Sequence, residues 1–292
     1  MKTTLLTTKY KSNSWKYSLF TGILLTFLMI SCQSPEKKAQ QLLDQATTSK
    51  ESKSYTHALD LLDSLQKTYP KAFKTRHIAN KLKLEIQLDQ QQQNDSLLTI
   101  QLTKNSQYID SLLSNKSIEA QQDKKYQDAP LYVYKRLHKS SASPARLALF
   151  AAEQAGNGYV RLYLKGDKRN VESIQIKDID NNWTTVSGKI YTHIVHINGT
   201  HTLVDIKLQD AASALETYLK TAASKTTKAT IQIVLNGQKT EKVPTLSSEE
   251  VKGIRIILPL HQAFANKVAL QSLSKECSLK IRFIKKRLES YQ

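Results

Sequence analysis

Glycine is missing from most of the first half of this chain. None occurs between Gly22 and Gly156, and the prolines of that interval stand only at 35, 70, 130 and 144. With so few breakers, residues 36–129 are expected to be almost all helix. Cysteine is equally scarce. A lipid-modified Cys32 cannot bridge to Cys277, the only other cysteine, so no disulfide framework is expected. Enzyme signatures are missing too: there is no Gly-x-Ser-x-Gly, His-Glu-x-x-His, P-loop or Cys-x-x-Cys, and Gly156-x-Gly158 lacks the third glycine of a dinucleotide loop. Ser64-Leu-Gln-Lys67 has the spacing of a Ser-x-x-Lys pair, but no partner motif follows. The expectation is a non-enzymatic protein without catalytic residues, cofactor or metal.

What is present begins at the N-terminus. Four lysines (Lys2, Lys9, Lys11, Lys16) precede the apolar run Tyr17–Ile30, and Ser31-Cys32 follows. The run is well short of the roughly 20 residues that span a bilayer as a helix. A small residue before a cysteine supplies the cleavage point of a lipoprotein signal peptide, with Met29 where leucine is usual. Residues 1–31 are read as that signal and Cys32 as the lipid-bearing (palmitate-type) first residue, a membrane anchor. An uncleaved anchor or a plain signal peptide are the alternatives.

Charge is uneven. Residues 33–128 hold 14 Lys/Arg and 12 Asp/Glu, whereas 129–292 hold 25 and 13. An electrostatic function therefore belongs to the second half. An exported basic protein points to anionic envelope partners such as lipopolysaccharide, acidic glycans or headgroups rather than to nucleic acid.

In the helical region Leu42, Leu43, Ala46 and then Ala58, Leu59, Leu62, Leu65 recur at helical spacing, which predicts two antiparallel helices closed by Tyr69-Pro70. Tyr55 to Pro70 resembles one tetratricopeptide-type unit. No second copy follows, so it reads as a packing device rather than a peptide receptor. From Lys71 to Asp128 a long coiled-coil-like helix is expected, and it needs a partner, either the C-terminal helix or a second copy of the chain. Residues 32–129 form a helical stalk in this reading.

After Pro130 the period changes to two. Strands are expected at 131–137, 145–152, 159–165, 171–179, 183–187, 190–197, 203–208, 229–235 and 238–243. Asn198-Gly199 and Asn236-Gly237 predict two-residue type I′ hairpins. Asp210 is expected to cap a helix through Leu215, Tyr218 and Leu219. In the last segment, 247–292, Ser247-Ser-Glu-Glu250 has capping-box spacing. A helix kinked at Pro259 is preferred over a strand at 254–258, and the basic tail fits strand or helix. The fold class is thus α+β: an N-terminal helical hairpin and long helix, an antiparallel β-sandwich-like domain over 130–246, and a C-terminal helix.

The chain resembles uncharacterised Bacteroidetes-type envelope lipoproteins. The likeness lies in the signal segment, Leu62-Asp-Ser-Leu-Gln-Lys-Thr-Tyr-Pro-Lys-Ala72, Thr192-His-Ile-Val-His-Ile-Asn-Gly-Thr-His201 and Leu279-Lys-Ile-Arg-Phe-Ile-Lys-Lys-Arg-Leu288. It implies an outer-membrane or periplasmic address and no particular activity. It also implies O-glycosylation at Asp-Ser before an aliphatic residue, a pattern that Ser64, Ser96 and Ser111 fit.

Two clusters invite a chemical reading. A two-residue turn at Asn198-Gly199 would set His196 opposite His201, with His193 on the other face. Two imidazoles fall short of the three or four ligands zinc needs, so a cross-strand pair is expected rather than a metal site. Tyr132, Tyr134, Arg136 and His138 alternate on one side of a strand and are the candidate binding face for a sugar or anionic headgroup. The alternative is tyrosines packed on the helical part. The sequence therefore points to a lipid-anchored scaffold or partner-binding protein, or to a binder of anionic glycan or lipopolysaccharide. Self-association through the long helix is a further expectation.

Overall fold

The structure, a computed structural model, describes residues 34–122, 129–138, 146–154, 157–166, 171–186, 188–196, 199–223, 229–235 and 239–291. The signal segment, Cys32 and the Asn236-Gly237 turn lie outside the described residues. The chain forms the expected α+β fold. The elements are α1 (Pro35–Glu51), α2 (Tyr55–Thr68), α3 (Phe73–Leu113), β1 (Ile118–Gln121), β2 (Leu131–Tyr134), the short α4 (Lys135–His138), β3 (Leu147–Ala152) and β4 (Tyr159–Lys165). There follow β5 (Val171–Lys177), β6 (Trp183–Thr185), β7 (Ile190–His196), β8 (Thr200–Lys207), α5 (Leu208–Ala222), β9 (Thr230–Leu235), β10 (Lys239–Val243) and α6 (Ser248–Glu289). Among the described residues no helix is long and apolar enough to cross a membrane.

Two compact units result. The first holds residues up to Asn94 together with Cys277–Gln292, and the second holds Asp95–Glu276. The division falls inside α3 and α6, whereas sequence periodicity changes at Pro130 and near Leu246. Periodicity records a change of element, and compactness records which elements share a core.

In the first unit α1, α2 and the start of α3 bury Leu43, Ala46, Ala58, Leu62, Leu65, Leu82 and Ile86 in one core. Glu36 on α1 accepts hydrogen bonds from the Thr75 backbone N–H (3.0 Å) and hydroxyl (2.7 Å), which satisfies the open first turn of α3. The long helix finds its partner within the chain. The Cys277 thiol donates to the Gln91 carbonyl at 3.1 Å, and the His77 and Tyr291 rings lie 4.9 Å apart. The two contacts are equally spaced on both helices, so α6 runs antiparallel to α3 here. The glutamine-rich segment interrupts the apolar seam but still presents a backbone acceptor.

In the second unit α3 ends earlier than expected. Asn115 accepts the Ser117 N–H on its side chain (2.9 Å) and the Ile118 N–H on its carbonyl (2.9 Å), and this turn starts β1 where helix was predicted. The strands build two antiparallel sheets, ordered β1-β2-β3-β4-β8-β7 and β10-β9-β5-β6. Both sheets, α5 and α6 contribute to one core, with Leu149, Leu162, Ile174, Ile233, Leu215 and Ile257 among its members. Asp210 lies in the first turn of α5 and Lys207 is the N-cap, so Asp210 complements the helix dipole rather than capping it. Its carboxylate fills the space beside Gly188, whose φ is +107°, so this position has neither room nor backbone for a side chain. α6 runs through Pro259 as one helix and includes the basic tail.

The capping box at the start of α6 is present and extended. The Ser247 hydroxyl accepts the Glu250 N–H (3.3 Å), and Glu250 accepts the Ser247 N–H (2.6 Å). Its other oxygen takes the backbone N–H groups of Arg146 and Leu147 at the start of β3. Glu250 is 4% exposed. Replacing it with alanine strands three donors, so Glu250→Ala is expected to cost about 2–4 kcal/mol in urea unfolding, while Ser248→Ala at an exposed neighbour stays within about 0.5 kcal/mol.

Candidate functional site

The predicted Tyr132–His138 face does not form. β2 ends at Tyr134, and Lys135–His138 turn into helix, which destroys the alternation. Tyr132 packs 5.5 Å from the Phe264 ring, and its hydroxyl donates to Glu153 at 3.2 Å. Tyr134 is buried, with its hydroxyl donating to Glu249 at 2.7 Å. Burial and the neighbouring carboxylates raise both phenols above their ordinary value. The tyrosines therefore serve the core through the C-terminal helix α6. Arg136 is exposed and meets Glu249 at 3.4 Å, and the side chain of His138 lies outside the described residues.

The histidines also differ from expectation. The hairpin ends on His196 opposite Thr200, so three residues separate the strands and Val195 faces His201. Gly199 takes φ +111°, as in a three-residue loop closed by a positive-φ glycine. This one-residue shift puts His196 and His201 on opposite faces. Among the described residues no group of three or more His, Cys, Asp or Glu is placed to hold a metal. Ser64, Ser96 and Ser111 stand exposed on α2 and α3, and the Ser111 hydroxyl donates to the Tyr108 carbonyl at 2.7 Å.

A different constellation is assembled by the fold. Where the end of β4 and the start of β8 meet β9 and β10, a cavity of about 300 Å³ opens, lined by Arg146, Tyr163, Lys165, His201, Glu241 and Lys242 above apolar Leu164, Ile233 and Val243. This is the lower end of small-ligand sites, which run from about 300 to about 1,000 Å³. Lys165 and His201 are direct cross-strand partners. Gly166 donates to the Thr200 carbonyl at 2.7 Å and accepts from the Thr202 hydroxyl at 3.1 Å, which fixes this rim. On the opposite wall the Arg146 guanidinium donates to the Thr245 carbonyl, which anchors this side chain. Neither Lys165 nor Lys242 forms an ion pair among the described residues. Three cations against one carboxylate, with Lys165 and Lys242 exposed and Arg146 held by its backbone contact, suit an anion. The Tyr163 ring and hydroxyl and the Glu241 oxygens suit a hydroxylated, flat-faced ligand.

Beside the cavity, the outward face of the first sheet carries a rigid polar stack. Arg161 holds Asp205 through two bonds, 2.7 and 2.6 Å, and lies 5.0 Å from the Tyr159 ring, which stacks on Phe150 at 4.5 Å. The bidentate carboxylate raises the Arg161 pKa further. This stack stiffens β4 and β8, the strands that carry Tyr163, Lys165 and His201.

Arg146, Lys165 and Lys242 were not singled out in the sequence, because they come from three elements far apart along the chain. Only the excess of positive charge over 129–292 pointed toward them. No family model matches the chain, and no curated protein or solved structure matches it.

One buried titratable group gives the unit a pH signature. His261 on α6 is buried, and its Nδ1 would lie 3.4 Å from a Cβ at Gly158. Burial pushes its imidazole below the usual 6.5. The unfolded imidazole then binds a proton at a pH where the folded one does not, so stability is full above about pH 6.5 and falls as pH drops below it. The urea midpoint is expected to fall between about pH 7.5 and about pH 5.5, and His261→Gln to flatten that fall.

Proposed function

We propose that this chain is an exported, lipid-anchored protein of the cell envelope that works by binding a second envelope component rather than by catalysis. The signal segment with Cys32, and the resemblance to Bacteroidetes-type lipoproteins, support the address. Among envelope components, an anionic glycan or lipopolysaccharide fits best. The observation that carries this is the cavity where Arg146, Lys165 and Lys242 surround Tyr163 and Glu241. Cations carried by β4, β10 and the segment before β3, over a partly apolar floor, suit a charged saccharide, because the charges meet the acid group and the aromatic and carboxylate groups meet the ring. The proposed binding surface is thus this cavity and not the Tyr132–His138 segment.

The test is binding of the full mature chain to acidic polysaccharide, lipopolysaccharide and a neutral glucan at low and high salt. Binding is expected to the acidic ligands only and to weaken with salt. Each of Lys165→Ala and Lys242→Ala is expected to weaken it roughly tenfold, the worth of one charge-assisted hydrogen bond. Equal binding to the neutral glucan, or no effect of either substitution, contradicts the glycan reading. Cross-linking in cells that captures one discrete envelope protein through the lipidated chain favours a protein scaffold instead.

A further inference from the structure

The C-terminal end of α6 presents a face that the first unit does not use for packing. Residues 277–291 contain five cations and the single acid Glu289. Cys277 and Ile284 point inward and are buried. At spacings of three and four on the opposite side stand Leu279, Arg282, Phe283, Lys286 and Arg287, which share one helical face. Leu279 is 50% and Phe283 63% exposed, and the Arg287 guanidinium lies 5.8 Å from the Phe283 ring. None of Arg282, Lys285, Lys286 or Arg287 forms an ion pair among the described residues. Exposed apolar side chains bordered by unpaired cations have the composition of a helix that lies in a bilayer interface.

Placement within the unit argues for the same occupant. Glu36, in the first turn of α1, binds Thr75 in the first turn of α3, and His77 two residues further on meets Tyr291, just past the end of α6. The start of α1 and the end of α6 therefore lie at one end of this unit. Cys32 is two residues before Ser34, a reach of at most about 7 Å. A lipid on Cys32 would bring that end to the bilayer without a spacer.

We infer that the Leu279–Arg287 face of α6 docks on the anionic lipid surface that the Cys32 lipid enters, so that the first unit lies along the bilayer rather than standing from it as a stalk. This rests on the lipid-anchor reading of the proposed function. Phe283 and Leu279 enter the headgroup boundary, and the cations meet lipid phosphates.

The test places a reporter at the face. In the full chain Trp15→Phe and Trp183→Phe with Phe283→Trp leave position 283 as the only tryptophan whether or not residues 1–31 are removed, and the protein is reconstituted in vesicles of phosphatidylcholine with phosphatidylglycerol. Lipid brominated near the headgroup end of its chains is expected to quench most of the emission. Quenching is expected to fall in pure phosphatidylcholine and on Arg282→Glu with Lys286→Glu, which should weaken docking by at least about tenfold. Unquenched emission in the anionic vesicles, or quenching indifferent to both changes, overturns the inference. The mass of the same sample reports whether Cys32 carries lipid. An acylated chain with unquenched position 283 defeats the docking alone, and an unacylated chain with salt-sensitive quenching defeats the anchor while the docking stands.

Discussion

The second unit depends on where the Glu250 carboxylate sits. A carboxylate in a protein interior is costly unless its lone pairs are filled, and here backbone N–H groups from two separate segments fill them. One oxygen closes the capping box that starts α6, and the other receives the first amides of β3. The same side chain therefore starts a helix and fixes the strand beside it. β3 is buried along its whole length and joins β2 to β4, so its placement determines where the first sheet meets α6.

The cavity follows from that junction. Arg146 precedes β3, and Val243–Pro244 lead into the capped start of α6, so Glu250 holds both ends of one wall through backbone bonds. The opposite wall belongs to β4 and β8, stiffened by the Arg161–Asp205 pair and its aromatic stack. A site framed this way keeps its walls in place without ligand, which lowers the ordering cost of binding. The two electrostatic features of the chain lie in different units and suit different targets. The cavity is the proposed site for the charged end of a small or extended ligand, and the tail face of α6 is the proposed site for a surface.

Local signals in the sequence were legible. Alternation over 159–165 marks β4 to the residue, and the Ser247–Glu250 spacing marks the start of α6. Features that depend on one residue of register were not. Asn198-Gly199 fits a two-residue turn as well as a longer loop closed by glycine, and only the observed pairing of His196 with Thr200 decides between them. Tyr132 to His138 alternates as a strand should, but Glu249 on a distant helix captures Tyr134, and helix begins at the next residue. β1 was hidden because its few residues extend a breaker-free stretch, and Asn115 alone signals the turn. The cavity was illegible for a simpler reason: its residues are gathered by strand order, which no local pattern encodes.

The most direct test of this account is amide hydrogen exchange of the full chain, read at Arg146, Leu147 and Ser247. If Glu250 pins the junction, these three amides exchange only on global unfolding, at the rate of the slowest amides of β3 and β4. Exchange at the rate of open loops, with β4 still protected, would show that the junction opens independently and contradict the claim that it holds the cavity in place.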